Sequence, residues 1–151
     1  MKIAVCSDEP YPVNEAVVQA LRERGHEVVR FGSLASGKEE PWATVARRAA
    51  EAVARGDCDE GVFFCWTGTG ISMAANKVPG VRAALCHDAE TARGARIWNH
   101  ANVLALSNRS TSVEVAREIL EAWFSTPADD PRGAPGAAAL AEIEAAYGKV
   151  P

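Results

Sequence analysis

The sequence predicts an α/β fold whose parallel sheet is covered on both faces by helices. Two features carry the prediction. Five short runs are mainly apolar, and amphipathic stretches of helical length alternate with them. A strand packed against helices on both sides has no solvent face, so it is apolar at every position instead of every second one. The 151 residues suit one core, and 48% apolar residues suffice to fill it.

Lys2–Cys6 is the first strand. Pro12–Glu23 is the first helix: Val13, Ala16, Val17, Ala20 and Leu21 recur at helical spacing, and Gly25 supplies a left-handed stop. His26–Phe31 is the second strand. Pro41 opens the next helix, which runs to about Ala54, since a proline in the first turn sacrifices no hydrogen bond. Gly61–Cys65, Val81–Cys86 and Asn102–Leu106 are the third, fourth and fifth strands, with helices over 70–77, 89–98 and 112–123. Residues 127–136 hold three prolines and two glycines and read as a loop. Ala137–Tyr147 reads as a lone amphipathic helix, with Leu140, Ile143 and Tyr147 on one side. The chain thus divides into a main domain over 1–126 and a C-terminal loop and helix over 127–151. The latter belongs to the same domain or to a subunit interface.

Composition narrows the functions. The net charge is −4 and no Lys/Arg stripe stands out, which gives no support for a nucleic-acid partner. The apolar stretch at the N-terminus, Ile3–Cys6, is too short for a signal peptide or a membrane span. A cytoplasmic protein with no membrane partner is expected. None of the four cysteines is spaced as Cys-x-x-Cys, which argues against a zinc knuckle or a dithiol redox pair. Cys6, Cys58 and Cys86 read as buried free thiols.

Cys65 is different. It ends the third strand, and Trp66-Thr67-Gly68-Thr69-Gly70 follows before a helix. Ligands on parallel sheets bind beyond the carboxyl ends of the strands, where this loop and the turn Ser7-Asp8-Glu9 both fall. Glycines let the backbone approach a ligand, and the free N–H groups of a helix start attract negative charge. The same field favours a thiolate. A base beside an anion-holding loop suits enolisation, in which the base takes a carbon-bound proton and the N–H groups hold the enediolate oxygen. By itself Gly68-Thr69-Gly70 also fits a plain strand-to-helix turn or a dinucleotide site. Met73, however, stands where the third glycine of the dinucleotide fingerprint belongs.

The run Cys65-Trp-Thr67-Gly68-Thr-Gly70-Ile-Ser-Met-Ala-Ala-Asn76-Lys77-Val-Pro-Gly80-Val-Arg82 resembles the signature of type B ribose-5-phosphate isomerases and galactose-6-phosphate isomerase subunits. The run Asn99-His-Ala-Asn102 resembles a second block of that family, and Met1–Val5 with Ser7-Asp8 its first strand and turn. The resemblance covers residues 1 to about 126. It implies a Rossmann-like three-layer α/β/α sandwich with a five-stranded parallel sheet. It also implies aldose–ketose isomerisation of a sugar phosphate through a cis-enediolate, with no cofactor and no metal. The implied assembly is a homodimer or homotetramer whose active sites are shared between subunits. Carried over by position, Cys65 is the base and Thr67 acts at the substrate hydroxyls. The backbone of Gly68, Thr69 and Gly70 is the anion hole, and Asp8 and Asn99 contact the sugar.

Four positions depart from the pattern. Glu9 stands where the family has His, and Trp98 where it has the His credited with opening the sugar ring. Trp66 replaces a small glycine, and Gly136 replaces the arginine partner of Arg132. An indole is neither acid nor base at neutral pH. His100, two residues on, is a candidate acid in its place; alternatively the substrate is a four-carbon sugar phosphate with no stable ring to open. Arg109 and Arg132 remain as phosphate ligands or as solvated surface charges. Trp66 and Trp98 are expected to share a pocket, narrowing it or stacking on a sugar. The competing reading is a non-catalytic or partner-dependent subunit of the same family, against which the retention of Cys65 and Thr67 argues.

Overall fold

The computed structural model describes residues 1–147, so the last four residues of the 127–151 segment lie outside the described residues. The elements run β1 (Lys2–Ser7), α1 (Pro12–Glu23), β2 (Glu27–Gly32), α2 (Ser33–Ser36), α3 (Trp42–Ala54), β3 (Glu60–Cys65), α4 (Thr69–Ala75), β4 (Ala83–Leu85), α5 (Ala89–Asn99), β5 (Val103–Ser107), α6 (Val113–Ser125) and α7 (Ala134–Tyr147). A 3₁₀ turn, Pro131–Gly133, precedes α7. The five strands form one parallel sheet in the order β2-β1-β3-β5-β4. The α/β fold is the one the sequence predicts.

Strand alternation sorts the apolar residues onto two faces. Ile3, Val5, Val62, Phe64, Leu104 and Leu106 face α1, α5 and α6. Ala4, Cys6, Phe63, Cys65, Val103 and Ala105 face α3 and α4. Both faces are buried over β1, β3 and β5, so these central strands are apolar at successive positions, while the edge strands β2 and β4 stay partly exposed. The chain leaves β1 for β2 on one side and then adds β3 on the other. That reversal makes the β1/β3 crevice the place where ligands bind on such sheets.

Three expectations change. The fourth strand spans only Ala83–Leu85, not Val81–Cys86. Asn76 explains the short edge: its side chain accepts from the Ala83 N–H and donates to the Ala83 carbonyl, both at 2.8 Å, and so takes the place of a neighbouring strand. Before it, the Arg82 N–H turns to the Asn102 side chain at 2.8 Å. The one-turn helix α2 was not legible, because it rests on Ser33 Oγ donating to the Ser7 carbonyl of another strand at 2.9 Å. Finally α7 starts at Ala134, so the loop expected over 127–136 ends early. Pro135 and Gly136 fall in its first turn, where a proline lacks no intrahelical bond. No residue of α7 is buried, and Leu140, Ile143 and Tyr147 stay exposed along one side of it.

One buried ion pair ties the opposite end of the sheet together. Arg96 Nη2 lies 2.8 Å from Glu60 Oε1, and Trp123 Nε1 donates to Glu60 Oε2 at 2.7 Å. Arg96 Nη1 also donates to the Ala101 carbonyl at 2.8 Å, and its guanidinium sits 4.8 Å over the Trp123 ring.

Candidate active site

Cys65 is the last residue of β3 and is only 5% exposed. The end of β5 holds the chain as it leaves. The Cys65 carbonyl accepts from the Asn108 N–H at 2.9 Å, and the Trp66 carbonyl accepts from the Arg109 N–H at 3.0 Å and from Ser107 Oγ at 2.9 Å. The hydroxyls of Thr67 and Thr69 then share a hydrogen bond of 2.7 Å. At Gly68 φ is +77°, and a Cβ there would sit 2.5 Å from Leu85 Cδ1 and 3.0 Å from the Leu106 carbonyl carbon. Both the left-handed backbone and the tight packing demand glycine. The result seats the start of α4 on the sheet edge, where the N–H groups of Thr69, Gly70 and Ile71 have no intrahelical partner.

Gly68→Ala is therefore expected to strain the turn by about 1–3 kcal/mol. It should also shift those N–H groups enough to slow turnover about a hundredfold. Thermal unfolding and initial rates check both; an unchanged rate would show that the turn does not place reacting groups.

Across the crevice, the Asp8 carboxylate accepts from the Glu9 N–H at 2.9 Å. Burial nonetheless pushes the Asp8 carboxyl above its ordinary value, and the charges of Glu9 and Glu39 add to the rise. Tyr11 donates its hydroxyl proton to Glu9 Oε2 at 3.1 Å, and its ring centroid lies 5.8 Å from that of Trp66. The Arg109 guanidinium lies 5.9 Å from the same indole. Glu9, Tyr11, Trp66 and Arg109 thus form one cluster spanning the β1 and β3 turns. Beside it, Asp8, Glu9, Glu39, Glu40, Pro41 and Trp42 line a cavity of about 340 Å³. The Trp42 ring covers Gly70, close enough that a Cβ on Gly70 would meet it at 3.1 Å.

The sequence reading missed Tyr11, Trp42, Glu39 and Glu40. The helix start at Pro41 was legible, but its approach to Gly70 depends on α3 and α4 sharing one face of the sheet.

The raised Asp8 has a consequence with a definite sign. The folded chain binds this proton more tightly than the unfolded chain does. Stability at this group is therefore greatest below the ordinary value of 3.8 and falls as pH rises from 3.8 through the raised value. Asp8→Asn removes the cost of an ionised, half-buried carboxylate. It is expected to raise Tm at pH 7, to raise it less at pH 4, and to lower turnover. A Tm unchanged at both pH values would contradict this.

The remaining expected site residues form a second group at the end of α5. Arg132 lies 5.5 Å from the Trp98 ring and is bound through Nε and Nη2 to the Asp130 carboxylate at 2.9 and 2.8 Å. That pairing holds Asp130 down to about 2. His100 closes α5 in the left-handed region, at φ 48°, and its Nε2 donates to the Asp130 carbonyl at 2.8 Å. Gly133 packs so closely that a Cβ there would lie 2.0 Å from the Ile97 carbonyl oxygen and 2.9 Å from the His100 ring. Asn99 sits on a groove of about 770 Å³ lined also by Lys77, Arg82, Leu140, Ile143 and Tyr147. Among the described residues of this chain, no hydrogen bond or ring contact joins this group to the Cys65 group. Trp66 and Trp98, expected in one pocket, are in different groups of the same chain. Among the described residues, no helix is long and apolar enough to cross a membrane.

Known proteins place this arrangement. A family model described as Ribose/Galactose Isomerase matches residues 3–138. The chain is 35% identical over 139 residues to ribose-5-phosphate isomerase B of Escherichia coli (strain K12), covering 92% of this chain and 93% of that one. It is 33% identical over 136 residues to D-erythrulose-4-phosphate isomerase of Pectobacterium atrosepticum, covering 89% and 90%. Among solved structures, ribose-5-phosphate isomerase B of Clostridium thermocellum aligns with a TM-score of 0.88 at 38% identity, over 97% of this chain and 99% of that one. With the family model matching most of its length and relatives above 30% identity covered nearly end to end, the chain belongs to the ribose/galactose isomerase family.

Proposed function

We propose that the chain is an aldose–ketose isomerase of a sugar phosphate, working through a cis-enediolate with Cys65 as the base. One observation carries the reading: a buried thiol ends the central strand at the β1/β3 crevice, beside a turn whose N–H groups are free to receive an anion. Cys65 Sγ, as thiolate, takes the proton from the carbon next to the carbonyl and returns it to the neighbouring carbon. The N–H groups of the Gly68–Gly70 turn hold the oxygen on which charge develops. The paired Thr67 and Thr69 hydroxyls steer the proton that moves between the two substrate oxygens, and Asp8 accepts from a sugar hydroxyl.

The second group is read as the other half of a site completed by a second copy. The uncovered side of α7, the half-exposed Trp98 and the groove at Asn99 support a homodimer in which Trp98, Asn99 and Arg132 of one subunit face the Cys65 turn of the other. Arg109 and Arg132 are then the phosphate ligands, and the 127–147 segment is part of the same domain and of the interface. Four free, buried thiols suit a reducing cytoplasm.

His100 spends its Nε2 proton on the Asp130 carbonyl. Its role in this reading is to anchor the C-terminal segment, and no ring-opening acid stands at Trp98. That favours a four-carbon substrate with no stable ring, and the erythrulose-phosphate relative supports it. The test is deuterium wash-in next to the carbonyl across erythrulose 4-phosphate, ribose 5-phosphate, allose 6-phosphate, galactose 6-phosphate and the free sugars. Exchange fastest with the four-carbon phosphate is expected. Exchange with none would overturn the enzyme reading and leave the non-catalytic subunit.

A further inference from the structure

We propose that Asn108 is a positioning residue that sets the Asp8 turn relative to the Cys65 base; the proposal rests on the isomerase reading above. Three polar side chains are buried where apolar strands end: Ser7 and Asn14 at 0% and Asn108 at 7% exposure. They form one directed chain. Asn14 Nδ2 donates to Asn108 Oδ1 at 2.8 Å, and Asn108 Nδ2 donates to Ser7 Oγ at 3.0 Å. Ser7 Oγ donates its own hydrogen bond to the Glu9 carbonyl at 2.5 Å, and Asn14 Oδ1 accepts from the Tyr11 N–H at 2.7 Å. One side chain therefore reaches both sides of the turn that carries Asp8 and Glu9.

The other end of Asn108 is fixed to the base. Its N–H donates to the Cys65 carbonyl at 2.9 Å. Ladder pairing between β1 and β3 stops at Ser7 and Phe64, so residues 8–11 have no strand partner to fix them. Asn108 lies beyond β5, which does not touch β1 in the sheet, and it bridges over the end of β3 to supply that link. Enolisation needs the base within about 3–3.5 Å of its carbon in a substrate held by its hydroxyls, and a shift of about 1 Å costs about a hundredfold. With the sugar held at Asp8, the spacing of Asp8 from Cys65 sets that distance. Only a side chain that both donates and accepts completes the chain. Aspartate at 108 loses the bond to Ser7 and buries a charge, and leucine loses both bonds.

The experiment compares wild type, Asn108→Leu, Ser7→Ala and the double variant by steady-state kinetics, by deuterium wash-in and by the rate of Cys65 alkylation with iodoacetamide. The expected result is kcat about a hundredfold lower in Asn108→Leu with alkylation unchanged, because the thiol itself is untouched. Ser7→Ala should reproduce most of that loss, and the double variant should lose little more, since both break one chain. Variants that lower Tm but keep the wild-type kcat below it would overturn the proposal, leaving a purely structural network. If Asn108→Leu does not fold, Ser7→Ala carries the test, and an unchanged kcat there overturns it equally. A wild type silent with every sugar overturns the isomerase reading itself and the positioning role with it; an active wild type with equally active variants overturns only the role of Asn108.

Discussion

Cys65→Ala is expected to slow turnover by about 10³-fold, within the 10²–10⁴ range that a positioned proton-transfer group supplies. Deuterium wash-in at the carbon next to the carbonyl should fall in step with it. The reason is geometric. Among the described cysteines, only Cys65 stands at the carboxyl end of a strand bordering the crevice and next to the Thr67–Gly70 turn. Cys6 lies within the core of β1, where burial pushes its thiol well above the ordinary range. Cys86 follows β4 at the sheet edge, and burial pushes its thiol up to about 12. Neither can replace the missing base. Cys65→Ser separates base strength from shape: the hydroxyl fills the space but holds its proton too tightly, so a loss nearly as large is expected. An alanine variant with wild-type exchange would take the base away from Cys65.

The largest expected effect on stability lies at the far end of the sheet. Arg96→Met should destabilise the fold by about 3–5 kcal/mol, because it leaves the Glu60 carboxylate buried without its cation. At about 2–4 °C per kcal/mol for a chain of this size, Tm should fall by roughly 6–20 °C. Glu60 would keep one partner, the Trp123 indole N–H at 2.7 Å. Removing the charge as well should restore part of the loss, so Glu60→Gln with Arg96→Met is expected to be more stable than Arg96→Met alone. A double-mutant cycle by thermal unfolding reads this coupling. The substitution also frees the Ala101 and Thr126 carbonyls that Arg96 caps, at 2.8 and 3.4 Å, next to the Trp98–His100 end of α5. An Arg96→Met variant melting within a degree or two of wild type would show that the pair contributes little to folding.

Legibility followed locality. The Cys65–Gly70 turn could be read because its thiol, hydroxyls and glycines are contiguous and lie between an apolar run and a helix. Glu60 and Arg96 could not be read as a pair, since each looks like a solvated charge until β3, α5 and α6 meet. His100 illustrates the same limit from the other side. Its place two residues after Trp98 made it a candidate acid. The left-handed C-cap of α5 turns its ring to the Asp130 carbonyl, a contact between residues 30 apart that the local sequence does not show. The apolar side of α7 was visible as periodicity, but periodicity does not say which surface covers it.

The sequence by itself determined the five strands, the longer helices, the parallel class of the sheet and the cysteine–glycine turn. Those follow from side-chain period and from backbone preference over a few neighbouring residues. Only the tertiary structure decided that Tyr11, Trp42 and Asn108 belong beside that turn, and that Trp98, His100 and Arg132 stand apart from it in the same chain. The order β2-β1-β3-β5-β4 sets those distances. Strand order is a property of how helices pack over the two faces, and no local stretch of chain encodes it.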